Sequence, residues 1–227
     1  MNNFLQLLEG FGMIKLIIFD YDGVLVDSFP CIYDTYKKIC ANLGKTIPST
    51  IKGFSVIYDH NFLETYAALG ILTEQEKRRA EDIYIEETAK QDPQVFAGTK
   101  EVLENLSKNY ELVIISSNYQ WEVEKKIQKN SLIKFFSEII GKADAEVKEF
   151  HKGEAMKSIV KQKKLSFDEV VVIGDRDVDF HTAKEVGIEK VLLVEYGWGY
   201  KKGVSSVPFH IHAPKELIKA ISFLDKK

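Results

Sequence analysis

Apolar and polar positions fall in blocks along this chain. Lys15 to Phe19 is a near-continuous apolar run, the pattern of a strand covered on both faces. Four further runs read the same way: Glu111 to Ser116, a short one around Ile139 and Ile140, Glu169 to Gly174, and Lys190 to Val194. Helical spacing fills the intervals. Val102, Leu103 and Leu106 follow Thr99, which is placed to cap their helix. Ala155, Met156, Ile159 and Val160 mark a second helix, and Phe180, Ala183 and Val186 a third that stops at Gly187. Strands alternating with helices predict an α/β fold, a doubly wound parallel sheet.

One segment breaks the alternation. Residues 29–92 contain no strand pattern. Ile32, Tyr36, Ile39, Cys40 and Leu43 form a helical stripe ending at Gly44, and Thr73 with Glu76 forms a capping-box pattern ahead of a charged helix running toward Lys90. So much helix is too long for one crossover, and it reads as an inserted α-helical cap. The expected organisation is an α/β core of residues 13–28 and 93–227, a helical cap at 29–92, and an N-terminal extension at 1–12. That extension, MNNFLQLLEGFG, lacks the basic and apolar regions of a signal peptide, and Met13 directly precedes the first strand.

Composition narrows the class. The 227 residues are 45% hydrophobic and 29% charged, enough for a substantial core. A formal net charge of −3, with no basic tail, argues against a nucleic-acid partner. No apolar run approaches the roughly 18 to 20 residues of a membrane span. Cys31 and Cys40 lie too far apart along one predicted helix for a disulfide and lack metal-ligand spacing, so a reduced, cytoplasmic protein is expected. A monomer or homodimer is expected.

In open α/β sheets, ligands bind beyond the carboxyl ends of the strands, and there the candidate chemistry sits. Asp20, Asp22 and Gly23 follow the first strand; Ser116, Ser117 and Asn118 close the second; Gly174, Asp175, Asp177 and Asp179 follow the fourth. Lys152 stands at the head of a helix before that fourth strand. Each signal has an ordinary reading alone. Asp-x-Asp-Gly could begin a calcium loop, but such a loop needs its glycine at the sixth position and a preceding helix. Ser-Ser-Asn is a frequent helix cap, Asp175 and Asp179 suit a turn, and a lone lysine is usually solvated. Together these readings require independent coincidences on a single edge.

As a set, the residues resemble the haloacid dehalogenase superfamily. IIFDYDG matches its first motif, LVIISSN its second at Ser116, and GDRDVD its fourth at Asp175 and Asp179. The motif lysine matches Lys152 in HKGEAM, with Lys148 as the fallback. FAGTKEVLENL and YGWGY are also similar to family segments, and the insertion corresponds to the helical cap of the phosphoglycolate-phosphatase-like branch.

The resemblance implies a phosphatase acting through an aspartyl phosphate. Asp20 would be the nucleophile and Asp22 the acid and then base; Ser116 and Lys152 would hold the phosphoryl oxygens, with Ser117 and Asn118 beside them. Mg²⁺ would be held by Asp20, the backbone carbonyl of Asp22, and Asp175, with Asp179 in support. An ordinary aspartate is ionised at neutral pH and needs no base to attack phosphorus. It must approach an anion, and a like-charge pair at 4 Å costs about 4 kcal/mol at an effective dielectric near 20. A bridging cation reverses that sign. The dehalogenases of the superfamily lack an aspartate at the position of Asp22, since a halide leaves without a proton. The expected substrate is a small phosphate ester such as phosphoglycolate or a sugar phosphate. Lys52, Tyr58, His60 and Asn61 are the cap candidates for contacting it. The rival reading is a β-phosphoglucomutase-like phosphosugar mutase. Its fourth motif often carries an acidic pair where this chain has Gly174-Asp175. A signalling receiver domain is about half this length and lacks Asp-x-Asp-Gly.

Overall fold

A computed structural model describes residues 13–59, 61–143, 150–200 and 211–225. The expected extension 1–12, Lys148 and His60 lie outside the described residues. The described chain divides into two compact units, one running to Asp27 and resuming at Gln94, the other Ser28–Pro93.

The first unit is built on five parallel strands in the order β5-β4-β1-β6-β7. They are β1 (Leu16–Phe19), β4 (Glu111–Tyr119), β5 (Glu138–Lys142), β6 (Val170–Gly174) and β7 (Lys190–Leu193). Side chains alternate across the sheet, so each apolar run supplies both faces. Ile17, Phe19, Leu112, Ile114, Val171 and Ile173 join one buried cluster, with helices α5 (Thr99–Leu106), α6 (Gln120–Lys129) and α9 (Glu216–Asp225). Leu16, Ile18, Val113, Ile115, Val170 and Val172 join the other, with α7 (Lys152–Gln162) and α8 (Asp177–Glu185). This is the doubly wound α/β architecture the alternation predicts. β1 is central, paired with β4 on one side and β6 on the other, so the residues after these three strands emerge side by side.

Three local expectations change. Thr99 is not the cap of α5: Gly98 holds that position, Thr99 is the first helical residue, and its buried hydroxyl has no hydrogen-bond partner. Regular pairing of β4 with β5 stops at Ile115 and resumes at Tyr119 opposite Lys142, so Ser116, Ser117 and Asn118 form an irregularity inside a longer strand. They cap no helix. The N-cap position of α6 belongs to Tyr119. A two-strand antiparallel ribbon, β2 (Val26–Asp27) with β3 (Gln94–Val95), is also present where no strand was expected.

The second unit contains α1 (Phe29–Leu43), α2 (Ile51–Ile57), α3 (Phe62–Ala68) and α4 (Glu74–Thr88). Its core is aromatic, with the Tyr36 ring centroid 5.2 Å from Phe54, 6.0 Å from Tyr58 and 6.1 Å from Tyr66. Thr73 and Glu76 make the expected capping box, and a Lys45–Glu76 ion pair at 2.7 Å ties the end of α1 to α4. Tyr58 belongs to the aromatic core, while Asn61 caps α3 by accepting from Leu63 N at 3.1 Å. Lys52 is exposed in the first turn of α2. Among the described residues, no helix is long and apolar enough to cross a membrane.

Candidate active site

The chain after β1 folds into a tight turn. Asp20 N donates to the Ile173 carbonyl at 2.9 Å, continuing the β1–β6 ladder and fixing Asp20 at the sheet edge. Gly23 N then donates to the Val26 carbonyl at 2.9 Å, and Leu25 N to the Tyr21 carbonyl at 3.0 Å. Gly23 has a left-handed φ of +74°, and a Cβ there would stand 1.9 Å from Asp175 Oδ2. The glycine of Asp-x-Asp-Gly is thus required both by the turn and by the approach of the Asp175 carboxylate.

Asp20, Asp175 and Asp179 converge, each with a carboxylate oxygen within 4.8 Å of the others, and all three are buried. Lys152, at the start of α7, reaches between two of them: its Nζ lies 2.8 Å from Asp20 Oδ2 and 2.8 Å from Asp179 Oδ1. Asp20 Oδ1 accepts from Tyr21 N at 2.8 Å, and Asp179 Oδ2 from Arg176 N at 3.2 Å. Asp175 Oδ2 accepts from Gly199 N at 2.8 Å. Its Oδ1 has no hydrogen-bond partner and stands 3.6 Å from Arg176 Nε.

The electrostatics follow from this crowding. Burial pushes the Asp175 carboxyl up to about 8, with Asp179 and Asp20 adding to the rise against Arg176 and the Gly199 N–H. Burial likewise raises Asp20 to about 6, with Asp179 adding to the rise and Lys152 and Arg176 limiting it. For Asp179 the upward push of burial is outweighed by Lys152 and Arg176, which hold it below the usual carboxylate range. Burial would lower Lys152, but Asp179 and Asp20 raise it well above an ordinary lysine. Only when all three carboxyls are ionised does the cluster carry more negative charge than Lys152 and Arg176 offset. Without a further cation, Asp175 avoids that state by keeping its proton up to about pH 8. A hard divalent cation fits such a donor set, and the open Oδ1 of Asp175 supplies a ligand atom already desolvated.

The β4 irregularity brings the second motif to the first. Ser116 is buried, and its Oγ accepts from Asn118 N at 3.2 Å. Asn118 Nδ2 donates to Asp22 Oδ2 at 2.5 Å, which holds the second aspartate outside the acidic cluster. Strand irregularities of this kind commonly re-aim side chains beside active sites.

A family model for haloacid dehalogenase-like hydrolases matches residues 17–193. The chain belongs to that family. The chain matches curated relatives over most of their length. It is 24% identical over 217 residues to the phosphoglycolate phosphatase of Synechococcus elongatus, covering 93% of this chain and 99% of that one. It is 24% identical over 200 residues to the phosphorylated carbohydrates phosphatase of Thermotoga maritima, covering 78% of this chain and 84% of that one. A haloacid dehalogenase-like hydrolase structure from Streptococcus pneumoniae is similar with a TM-score of 0.78 at 24% identity, over 91% of this chain and 97% of that one. A Thermotoga maritima structure proposed as a β-phosphoglucomutase gives a TM-score of 0.64 at 21% identity, over 92% and 99%. These structural likenesses carry the fold, an α/β core with an inserted helical cap.

Within this haloacid dehalogenase-like core, the structure joins Asp20, Asp175, Asp179 and Lys152 directly, and links Asp22 to Ser116 through Asn118. Ser117 is exposed on the β4 irregularity, and Lys52 belongs to the other unit. Sequence reasoning missed Arg176, Trp198 and Gly199. Arg176 sat unnoticed inside GDRDVD. The closely spaced glycines of YGWGY were a usable signal, since such spacing marks close backbone approach to a neighbour.

Proposed function

We propose that this chain hydrolyses small phosphomonoesters in the presence of Mg²⁺, carrying the phosphoryl group transiently on Asp20. The observation that supports this reading is the separation of two neighbouring carboxylates. Asp20 is buried and ion-paired with Lys152, whereas Asp22 is only half-buried and bonded to Asn118. The first suits a nucleophile at a charged reacting centre; the second suits a group that exchanges protons.

Asp20, the Asp22 backbone carbonyl and Asp175 would hold Mg²⁺, with Asp179 acting through Lys152. Bound there, the cation offsets the repulsion between Asp20 and the phosphoryl oxygens. With its carboxyl at about 6, Asp20 is mostly ionised at neutral pH. A carboxylate oxygen of Asp20 attacks phosphorus as the bond to the leaving oxygen breaks, and Asp22 gives that oxygen its proton. Lys152 Nζ and Ser116 Oγ hold phosphoryl oxygens through the transfer. Asp22, now a carboxylate, takes a proton from water as the water attacks phosphorus. Inorganic phosphate leaves and Asp20 is regenerated. Asn118 contributes by fixing Asp22.

The names of the curated relatives support phosphoglycolate or a phosphorylated carbohydrate as the substrate class. The mutase reading is weakened at Gly174, where a Cβ would stand 2.4 Å from Asp179 Cβ, so an acidic side chain has no room. The test is a panel of phosphate esters assayed with Mg²⁺ and with EDTA, for the native protein and for Asp20→Asn. Phosphate release is expected with Mg²⁺, its loss with EDTA, and less than about 1% of turnover in Asp20→Asn. Turnover by Asp20→Asn above that level removes the nucleophile assignment. Glucose 6-phosphate formed from β-glucose 1-phosphate with a bisphosphate primer identifies a mutase instead.

A further inference from the structure

The buried Oδ1 of Asp175 poses a physical problem. A desolvated carboxylate oxygen without a hydrogen bond is costly, and an arginine stands beside it. Guanidinium groups pair readily with carboxylates, through short and often forked hydrogen bonds. Here Arg176 Nε stops at 3.6 Å, beyond hydrogen-bond reach.

The turn Tyr196–Tyr200 packs against this arginine. The Arg176 guanidinium carbon lies 5.2 Å from the centre of the Trp198 ring, a cation–π stack. The turn is itself anchored: Tyr196 OH donates to the Val24 carbonyl at 3.0 Å, and its ring meets Phe96 at 4.9 Å. At Gly199, whose N–H holds Asp175 Oδ2, a Cβ would stand 2.2 Å from Arg176 Cγ and 2.7 Å from that same oxygen. One turn therefore packs against both partners of the incomplete pair.

We propose that Trp198 is a positioning residue that holds Arg176 back from Asp175 Oδ1, keeping that oxygen open to a divalent cation. This rests on the reading of the acidic cluster as a cation site. Without the stack, the guanidinium closes on Oδ1 and occupies the position the cation would take. The arginine is then a competitor, and the tryptophan restrains it.

Calorimetric titration of Mg²⁺ into four proteins tests this directly: the native chain, Trp198→Leu, Trp198→Phe and the double variant Trp198→Leu/Arg176→Met. Trp198→Leu should weaken binding about tenfold, Trp198→Phe should stay within about twofold of native, and the double variant should return to within about threefold. A merely structural role for Trp198 would not be repaired by removing a second side chain. Unchanged binding in Trp198→Leu, or a double variant as weak as the single one, overturns the inference. Should Trp198→Leu fail to fold, Arg176→Met alone decides. It should bind Mg²⁺ at least as tightly as native, and weaker binding overturns the restraint. A native chain that takes up no Mg²⁺ overturns the cluster reading and this inference with it; native binding with an indifferent Trp198 overturns this inference alone.

Discussion

Asp20 and Asp22 stand two residues apart and meet different neighbours. Lys152 lies against the first, Asn118 against the second. If Asp22 handles protons, Asp22→Asn should damage the two half-reactions unequally. Nitrophenolate leaves without a proton, so nitrophenyl phosphate should still load Asp20. An alkyl phosphate should lose more in that step, within the roughly 10² to 10⁴-fold typical of general acid catalysis. Release of phosphate from Asp20 needs a base whatever the leaving group. Stopped-flow absorbance should therefore record a burst of about one nitrophenolate per enzyme, then near-stall. Steady turnover at the native rate would remove Asp22 from proton handling, and absence of a burst with normal Mg²⁺ uptake would leave it a structural role. At this scale the pair was legible because two carboxylates after an apolar strand have few uses. Arg176 and Trp198 were not, because their meaning lies in a contact between segments that the chain keeps apart.

Among the elements, legibility followed length and burial. The runs at Leu16–Phe19, Val170–Gly174 and Lys190–Leu193 are buried along their whole length, so their composition alone marks them as strands. The continuation of β4 through Ser116, Ser117 and Asn118 was hidden, because polar residues there follow the needs of the site and not of the sheet. Thr99 misled for a related reason. A left-handed φ of +89° at Gly98 begins α5 one residue earlier, and the threonine hydroxyl is buried instead of capping. The inserted unit was legible as helix, from the Tyr36 stripe and the Thr73 box, but its aromatic core was not. Stripe positions reveal which face is buried, not which rings meet. Every proposed catalytic side chain lies outside Ser28–Pro93, so that unit should govern substrate choice and leave the chemistry intact. Lys52, exposed in the first turn of α2, tests the division. Lys52→Ala should raise KM or shift preference among phosphate esters, with a smaller loss on a small aryl phosphate. Steady-state kinetics across the ester panel would read it. Equal losses on all substrates would put Lys52 in the general machinery, and no change would make it a solvated lysine.

For the molecule as a whole, the acidic cluster is a liability in the cation-free fold, and pH exposes that liability. In the unfolded chain the carboxyls of Asp20 and Asp175 return to ordinary values near 3.8, whereas in the cation-free fold burial raises them to about 6 and about 8. A raised carboxyl means that the folded state holds its proton while the unfolded state has released it. The unfolded chain gains by ionising as pH climbs, so the stability present below about pH 4 is lost progressively toward about pH 8. Carboxylates lowered by their partners, such as Glu76 at about 2, act in the opposite sense, but only under acid conditions. Between about pH 6 and pH 8 the cluster therefore sets the slope, and the melting temperature of the EDTA-treated protein should fall across that interval. If Mg²⁺ binds these carboxylates as proposed, saturating Mg²⁺ should flatten the decline, and the rise in melting temperature it produces should be larger at pH 8 than at pH 6. Thermal melts at the two pH values, with and without the cation, make the comparison. A cation-free melting temperature that holds or rises with pH would mean that Lys152 and Arg176 already compensate the three aspartates fully. A Mg²⁺ effect that shrinks toward pH 8 would mean that the cation binds somewhere other than these carboxylates.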